Sequence, residues 1–273
     1  MPSSNTYEIY AIRYATSAPQ RIRNQNFIID PNPTSPHAMD FFSWVLVAPD
    51  RQIVIDTGMS RLKAERHGHV FLREPADGLR ALGLAPESAQ TVILSHLHFD
   101  HIGNIDQYPA AHFYVQKVEL EFATGPDMRY YYFRRPYSAD EIGRVINYLY
   151  EDRVTLHGPD LDIAPGVSLH LVGGHCAGQE IIRVKTERGW VVLASDALHY
   201  YEEYERSIPF TVAYNMSDML RAHEKVRQLA DSDDHIVPGH DPLVLKKYPA
   251  ARPELKDFVI RLDVPPQPLP PSR

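Results

Sequence analysis

Residues 95–104 of this chain read SHLHFDHIGN, which places three histidines and an aspartate within six positions. An apolar stretch, TVIL at residues 91–94, comes directly before them. A single histidine in such a place is most simply a surface or capping residue. Three histidines and a carboxylate directly after a buried strand instead predict a site for Zn²⁺ or another first-row divalent ion. The four side chains are His96, His98, Asp100 and His101.

The spacing within this motif indicates how its side chains converge. His96 and His98 are two residues apart, so they leave the same face of an extended segment. Asp100 and His101 follow at once and need a turn to point the same way, which Gly103 would ease.

Composition narrows the class of protein. Of the 273 residues, 44% are apolar and 23% are charged, as in ordinary globular domains with a sizeable core. The net charge is −7 and no Lys/Arg run occurs, which argues against a nucleic-acid partner. Cys176 is the single cysteine, so no intramolecular disulfide can form. Without a secretory signal pattern or a long apolar stretch, we expect a cytoplasmic protein with no membrane partner.

Apolar runs and turn residues predict an α/β order of elements. The predicted strands are 41–47, 52–56, 91–94, 167–172, 181–185, 190–194 and 236–237, of which the first two open the fold. The predicted helices are 77–84, 139–150 and 217–230, with Ser138 and Glu141 forming a capping box. We expect one domain over residues 1–263 and a proline-rich, extended or disordered tail over 264–273.

Three further segments each place a potential ligand directly after a predicted strand. They are Gly173-Gly174-His175, Ser195-Asp196 and Pro238-Gly239-His240. Each one alone is typical of an ordinary turn. Together, they supply His175, Asp196 and His240, which are enough to complete two metal positions with the first motif.

The set HxHxDH, then Gly-x-His, Asp and Pro-Gly-His, resembles the metallo-β-lactamase superfamily. The similarity extends over most of the chain, from the strand end Ile53-Val54-Ile55-Asp56-Thr57-Gly58 to His240. This resemblance implies an α/β fold, a four-layer αβ/βα sandwich of two mixed sheets flanked by helices. It also implies a dinuclear site with Asp196 bridging two ions. The remaining ligands are His96, His98 and His175 for one ion, and Asp100, His101 and His240 for the other.

The chemistry of such a site is that of a hydrolase. Two cations that share a water lower its pKa and supply a bridging hydroxide as nucleophile, and they polarise the substrate carbonyl. The expected cofactors are two divalent metal ions, Zn²⁺ first, with Mn²⁺, Co²⁺ or Fe²⁺ as alternatives. Asp56 either accepts a hydrogen bond from a ligand imidazole or simply caps its strand end.

Within the superfamily, the motifs are most similar to those of the N-acyl homoserine lactonase group. This resemblance implies an enzyme that opens a lactone ring, with Asp100 as part of its catalytic metal site. The lactonases have a tyrosine three residues after the bridging aspartate, where this chain has His199. Either His199 donates a proton to the leaving oxygen, or the neighbouring Tyr200 reaches in instead.

A stretch rich in tyrosine and arginine, residues 128–137, lies between the ligand groups. Its Arg129, Tyr130 and Arg134 are candidates for binding substrate, because arginine can hold a carboxylate. The alternative is a dimer contact or a loop packed on the core, and the family resemblance also suggests a homodimer. The remaining histidines are predicted to be structural: His37, His67, His69, His112, His157, His170, His223 and His235.

The predicted partner is therefore a small-molecule lactone or ester. The alternative within the same fold is a hydrolase of another ester, a thioester or a cyclic amide. A non-hydrolytic metal or redox protein is disfavoured, since its di-iron relatives carry glutamate where this chain has Phe99.

Overall fold

The structure is a computed structural model that describes residues 5–17 and 20–268. Its strands are β1 (Glu8–Thr16), β2 (Asp40–Ala48), β3 (Arg51–Ile55), β4 (Val70–Phe71), β5 (Thr91–Leu94), β6 (His112–Gln116), β7 (Val154–His157), β8 (Asp160–Ala164), β9 (Val167–Leu171), β10 (Glu180–Thr186), β11 (Gly189–Leu193), β12 (Ile236–Val237) and β13 (Val259–Arg261). Its helices are α1 (Arg61–Arg66), α2 (Pro75–Ala81), α3 (Phe99–Ile102), α4 (Lys117–Ala123), α5 (Tyr131–Arg134), α6 (Ala139–Tyr150), α7 (Tyr201–Arg206), α8 (Met216–Leu229) and α9 (Leu243–Lys247).

The strands form two mixed sheets. The first has the order β13-β1-β2-β3-β5-β6-β7, with β4 beside β1. Its β3, β5, β6 and β7 run parallel, whereas β1, β2 and β13 are antiparallel to their neighbours. The second sheet has the order β12-β11-β10-β9-β8, in which only the β11–β12 pair is parallel among the described strands.

Alternate residues of the strands build the layers of the molecule. Trp44 and Leu46 of β2 share one buried cluster with Val184 of β10, between the two sheets. Val45, on the opposite face of β2, shares a second cluster with Val145 of α6. Helix α8 packs on the second sheet in turn. The predicted four-layer sandwich of two mixed sheets is therefore confirmed.

Most predicted elements are present, and several bounds shift. Strand β5 and helix α6 match their predicted ranges, and the predicted helix 217–230 becomes α8. The predicted helix 77–84 begins at Pro75, because proline suits the first helical position, and it ends at Ala81. Gly83 follows with φ +83°, a left-handed conformation that cannot continue the helix.

Two predictions about local structure are wrong. The Ser138 side chain does not cap α6. Its Oγ instead accepts a hydrogen bond from Nζ of Lys63 at 2.9 Å, so the predicted capping box with Glu141 does not form. Nor do residues 41–56 open the fold, since β1 precedes them and lies in the middle of the first sheet, between β13 and β2.

The C-terminal stretch has no helix or strand over residues 264–268, and residues 269–273 of the predicted tail lie outside the described residues. The backbone N–H of Gln267 donates to the carbonyl of Lys247, so this part of the tail is held against the end of α9. Among the described residues, no helix combines the length and apolar character that crossing a bilayer would require.

Candidate metal centre

The predicted ligands follow strand ends that meet at one edge of the two sheets. In the first sheet, the parallel β3 and β5 end beside each other, so Asp56 and the SHLHFDH segment are neighbours. In the second sheet, the parallel β11 and β12 lead to Asp196 and His240. A hydrogen bond of 2.8 Å between the hydroxyls of Ser95 and Ser195 joins the two edges. The sandwich thus gathers residues from distant parts of the chain.

The turn inside the first motif is the short helix α3, which begins directly after His98. Gly103 ends it in a right-handed conformation, with φ −65°, so its role is not to permit a turn. A Cβ at this position would lie 2.8 Å from the carbonyl oxygen of Gly58 and 2.7 Å from the amide nitrogen of Ser60. Glycine is needed because the backbone of residues 58–60 passes so close.

The structure brings the seven predicted ligands together in overlapping groups. Ligand atoms of the members lie within 4.8 Å of one another in each group. The first group is His96, His98 and His175; the second is Asp100, His101, Asp196 and His240; a third is His175, Asp196 and His199. Asp196 belongs to two groups, since its Oδ2 lies 3.3 Å from Nε2 of His175 and its Oδ1 lies 3.0 Å from Nε2 of His240.

Hydrogen bonds on the outer ring nitrogens fix how these histidines point. Nδ1 of His101 contacts Oδ2 of Asp56 at 2.7 Å, the contact expected if Asp56 orients a ligand. Nδ1 of His175 lies 2.9 Å from a backbone carbonyl oxygen, that of Val212, and Nδ1 of His240 lies 2.8 Å from another. With a metal ion bound, each imidazole would carry its proton on Nδ1 and present Nε2 to the centre. Histidines that hold metal ions are usually oriented in this way.

The inward-facing Nε2 atoms of these histidines are suited to binding divalent ions. Nε2 of His96 and of His101 is buried, and neither has a hydrogen-bond partner among the described residues. Such an atom is costly to bury unless something else binds it. Burial lowers the pKa of His175 to about 3, which keeps its imidazole neutral and able to bind a metal ion. The donor set of imidazoles and carboxylates is one that Zn²⁺ and its neighbours in the first row accept.

His199 lies between two buried carboxylates. Its Nε2 is 3.1 Å from Oδ2 of Asp196, and its Nδ1 is 3.5 Å from Oε1 of Glu203. Its ring is stacked on Phe210 with centroids 3.6 Å apart. Burial lowers the pKa of His199, but the charges of Asp196 and Glu203 outweigh burial and raise it to about 9. The neighbouring carboxylates therefore favour a protonated His199, whose Nε2 faces Asp196.

Tyr200 is placed differently. Its side chain is buried, and its hydroxyl donates to the carbonyl of Ala38 at 3.2 Å. Its ring packs against Phe27 and His37, with centroids 5.6 and 4.5 Å away. Of the two residues proposed to assist the leaving oxygen, only His199 lines the cavity above the metal ligands.

That cavity has a volume of about 460 Å³. Asp100, Asp196 and four histidines of the centre lie in its wall, and the residues around them are mixed polar and aromatic, among them Arg21, Phe41, Tyr131, Arg135 and Phe210. Arg129, Tyr130 and Arg134 do not line it, although their neighbours in the sequence do. His67 and His69 also reach the wall, where His67 stacks on Phe99 at 4.0 Å.

Comparison with known proteins identifies the family. The sequence profile of the metallo-β-lactamase superfamily matches residues 42–240. The chain belongs to the metallo-β-lactamase superfamily.

Its relatives within the superfamily include lactonases. An N-acyl homoserine lactonase of Bacillus cereus is 27% identical over 215 residues, which cover 72% of this chain and 80% of that one. The AttM lactonase of Agrobacterium fabrum is 28% identical over 173 residues, 61% of this chain and 63% of its own. The fold matches a solved N-acyl homoserine lactone hydrolase with TM-score 0.72 at 22% identity, covering 88% of this chain and 96% of that one.

Sequence reasoning missed several residues that shape this superfamily site. One is the buried Glu119 in α4, a helix without a predicted ligand, whose carboxylate accepts hydrogen bonds from the segments that carry His96, His98 and His175. Tyr14 of β1 donates its hydroxyl to the backbone carbonyl of Asp100 at 2.7 Å. The sequence also did not identify Glu203 or Arg21 as site residues. None of these positions stands out locally, because each acts through contacts with residues far away in the sequence.

Proposed function

We propose that this protein is a dinuclear metal-dependent hydrolase that opens a lactone ring. One observation carries the proposal, namely the overlapping ligand groups at the base of a cavity of about 460 Å³. The lactonase relatives support the same reaction. A solved structural relative holds the ring-opened product N-hexanoyl-L-homoserine at its catalytic metal centre.

In this proposal, His96, His98 and His175 hold one divalent ion and Asp100, His101 and His240 hold the other. Asp196 is in contact with both groups and bridges them. When bound, the two ions would lower the pKa of a shared water and polarise the lactone carbonyl. We propose Zn²⁺ as the metal, with Mn²⁺, Co²⁺ or Fe²⁺ as alternatives that the same donors accept. A solved relative of the same fold is described as a dizinc lactonase.

The side chains around the cavity orient the proton donor, transfer the proton and exclude water. The two buried carboxylates flanking His199 hold its ring so that Nε2 points at the centre. From there, Nε2 delivers a proton to the ring oxygen as the carbon–oxygen bond breaks. Phe210 stacks on the same ring and keeps water away from one face of it. Asp56 keeps His101 in the tautomer that binds metal.

The alternative is a hydrolase of another ester, thioester or cyclic amide, and it rests on one observation. The position three residues after the bridging aspartate is His199, where the lactonase group has tyrosine. A different proton donor suits a different leaving group, whereas the carbonyl chemistry at the metal centre stays the same.

A ring-opening assay tests the proposal. Metal-loaded protein is incubated with short- and long-chain acyl homoserine lactones, simple γ- and δ-lactones, a thioester and a β-lactam, and products are followed by the gain of one water in mass. We expect lactones to open, and Asp100→Ala to abolish the activity. Cleavage of the thioester or the β-lactam with all lactones intact would establish the alternative. The single-domain organisation over residues 1–263, the cytoplasmic location and the homodimer stay predictions.

A further inference from the structure

The cavity wall contains Arg21, whose hydrogen bonds go to neutral groups. Its guanidinium donates to the Gln25 carbonyl oxygen at 3.1 Å and to the Asn26 side-chain oxygen, both neutral groups. No carboxylate of the described residues lies within ion-pair distance of it. By contrast, Arg23, two residues further along the chain, forms ion pairs with Asp30 at 2.8 Å and with Glu202 at 2.7 Å.

Burial makes the lack of an ion-pair partner energetically unfavourable for Arg21. Arg21 is partly buried, and burial lowers its pKa from the ordinary arginine value. A cation removed from water is unfavourable unless an anion or hydrogen-bond acceptors compensate for it. The Tyr200 hydroxyl, through a side-chain hydrogen bond, and more weakly the charge of Asp100 favour the charged form of Arg21, but that hydroxyl is neutral and that carboxylate belongs to the ligand group of the centre. An anion brought by a ligand would supply the missing partner.

The position of Arg21 limits where that anion lies. Its guanidinium carbon is 5.8 Å from the centroid of the Phe210 ring, and Phe210 stacks on His199 at 3.6 Å. The guanidinium carbon is therefore no more than about 9 Å from the centre of the His199 ring. A group bound by Arg21 is thus attached within a few bonds of the reacting carbonyl. The wall around it is polar, with Asn24, Gln25 and Thr211.

We propose that the substrate is a small lactone carrying a carboxylate close to its ring, and that Arg21 binds this carboxylate. This inference rests on the proposed function and names its substrate class. The planar guanidinium suits a carboxylate because two parallel N–H···O bonds can form. Arg135, exposed at the same cavity and without an ion pair among the described residues, adds positive charge that attracts such a substrate.

Two matched substrates test this inference. A γ-butyrolactone with a carboxylate on its ring is compared with the same ring bearing a carboxamide, which has the same shape and no charge. We expect kcat/KM to favour the carboxylate by about 10- to 100-fold, as for one charge-assisted contact, mainly through KM. Arg21→Gln should lose far more kcat/KM on the carboxylate than on the carboxamide and so remove this preference, while Arg21→Lys keeps part of it. Arg144→Gln, at a position outside the cavity wall, should change kcat/KM for neither substrate.

The result that overturns the inference is an equal kcat/KM for both rings in the wild type, or an equal loss on both in Arg21→Gln. Failure of the proposed function is a separate outcome, in which the wild type opens neither ring. In that case, binding measurements test the role of Arg21 independently of hydrolysis. Calorimetry with tetrahydrofuran-2-carboxylate and its carboxamide, which cannot be opened, should show the same preference and its loss in Arg21→Gln. Equal binding of the two would also refute the inference.

Discussion

Replacing the buried Glu119 by glutamine should weaken both the fold and the metal centre. The Glu119 side chain is fully buried. Its Oε1 accepts from the Leu97 N–H at 3.1 Å and from the Tyr137 hydroxyl at 2.8 Å, and its Oε2 accepts from the Gly178 N–H at 2.8 Å. All three partners donate, so a carboxylate satisfies them and an amide does not.

These contacts connect the segments that carry the proposed metal ligands. Leu97 lies between His96 and His98, and Gly178 lies in the loop after His175. The ring of Tyr137 packs edge-on against His98, with centroids 4.5 Å apart. A change at Glu119 therefore displaces the first ligand group without removing a ligand.

The size of the effect follows from the hydrogen bonds. In Glu119→Gln, one side-chain oxygen becomes a nitrogen that can only donate, and it faces at least one of the three donors. Losing one charge-assisted hydrogen bond and leaving a buried N–H unsatisfied costs about 2–4 kcal/mol. For a chain of this size, that lowers the melting temperature by roughly 5–15 °C. Metal affinity should fall by about 10- to 100-fold, as for other residues that orient ligands.

The assay combines thermal unfolding with metal competition against a chromophoric chelator. The matched control is Glu121→Gln in the same helix, where the side chain is 59% exposed and contacts only Lys117 at 3.6 Å among the described residues. That variant should stay within about 0.5 kcal/mol of the wild type. If Glu119→Gln had the melting temperature and metal affinity of Glu121→Gln, the argument from hydrogen bonds would be refuted.

Three further predictions concern the proton donor, the backbone and the metal. His199→Gln should lower kcat about 100-fold or more with two metal ions still bound. Tyr200→Phe should keep its activity, because the Tyr200 hydroxyl bonds to Ala38 and Arg21 and the residue does not line the cavity. A missing ion in His199→Gln would make His199 a ligand instead. Gly58→Ala should destabilise the fold more than Gly83→Ala in urea unfolding. Both glycines have positive φ, but a Cβ at Gly58 would lie 2.6 Å from the Pro75 ring, and a Cβ at Gly83 meets open space, so equal losses would contradict the clash. Chelation should abolish hydrolysis and lower the melting temperature, and added Zn²⁺ should restore both; a chelated protein of unchanged stability would argue against a bound ion.

The predicted ligand segments were recognisable because each is short and follows an apolar strand. The motif after β5 needs only the period of an extended segment and one turn to orient its ligands. Helix α6 was equally clear, since its apolar stripe has a helical period. Its capping box failed for a tertiary reason, because Lys63 from another part of the chain takes the Ser138 hydroxyl.

The substrate side of the cavity was harder to predict. The stretch 128–137 contributes Tyr131 and Arg135 to the wall, while Arg129, Tyr130 and Arg134 stay outside. Which face of a short helical turn points inward depends on how that turn packs, and composition carries no such information. Arg21 lies in a segment without periodicity or motif, and its importance comes from the absence of an ion-pair partner among the described residues.

The sequence by itself determined the family, the order of most elements and the ligand types that suit a divalent metal, because these depend on local spacing and strand ends. The tertiary structure alone decided which residues orient those ligands and which ones face the cavity. Asp56 meets His101 across 45 positions of the chain, and Glu119 meets Gly178 across 59. Such contacts form only when the two sheets pack, since packing brings together chain segments that local preferences leave unrelated.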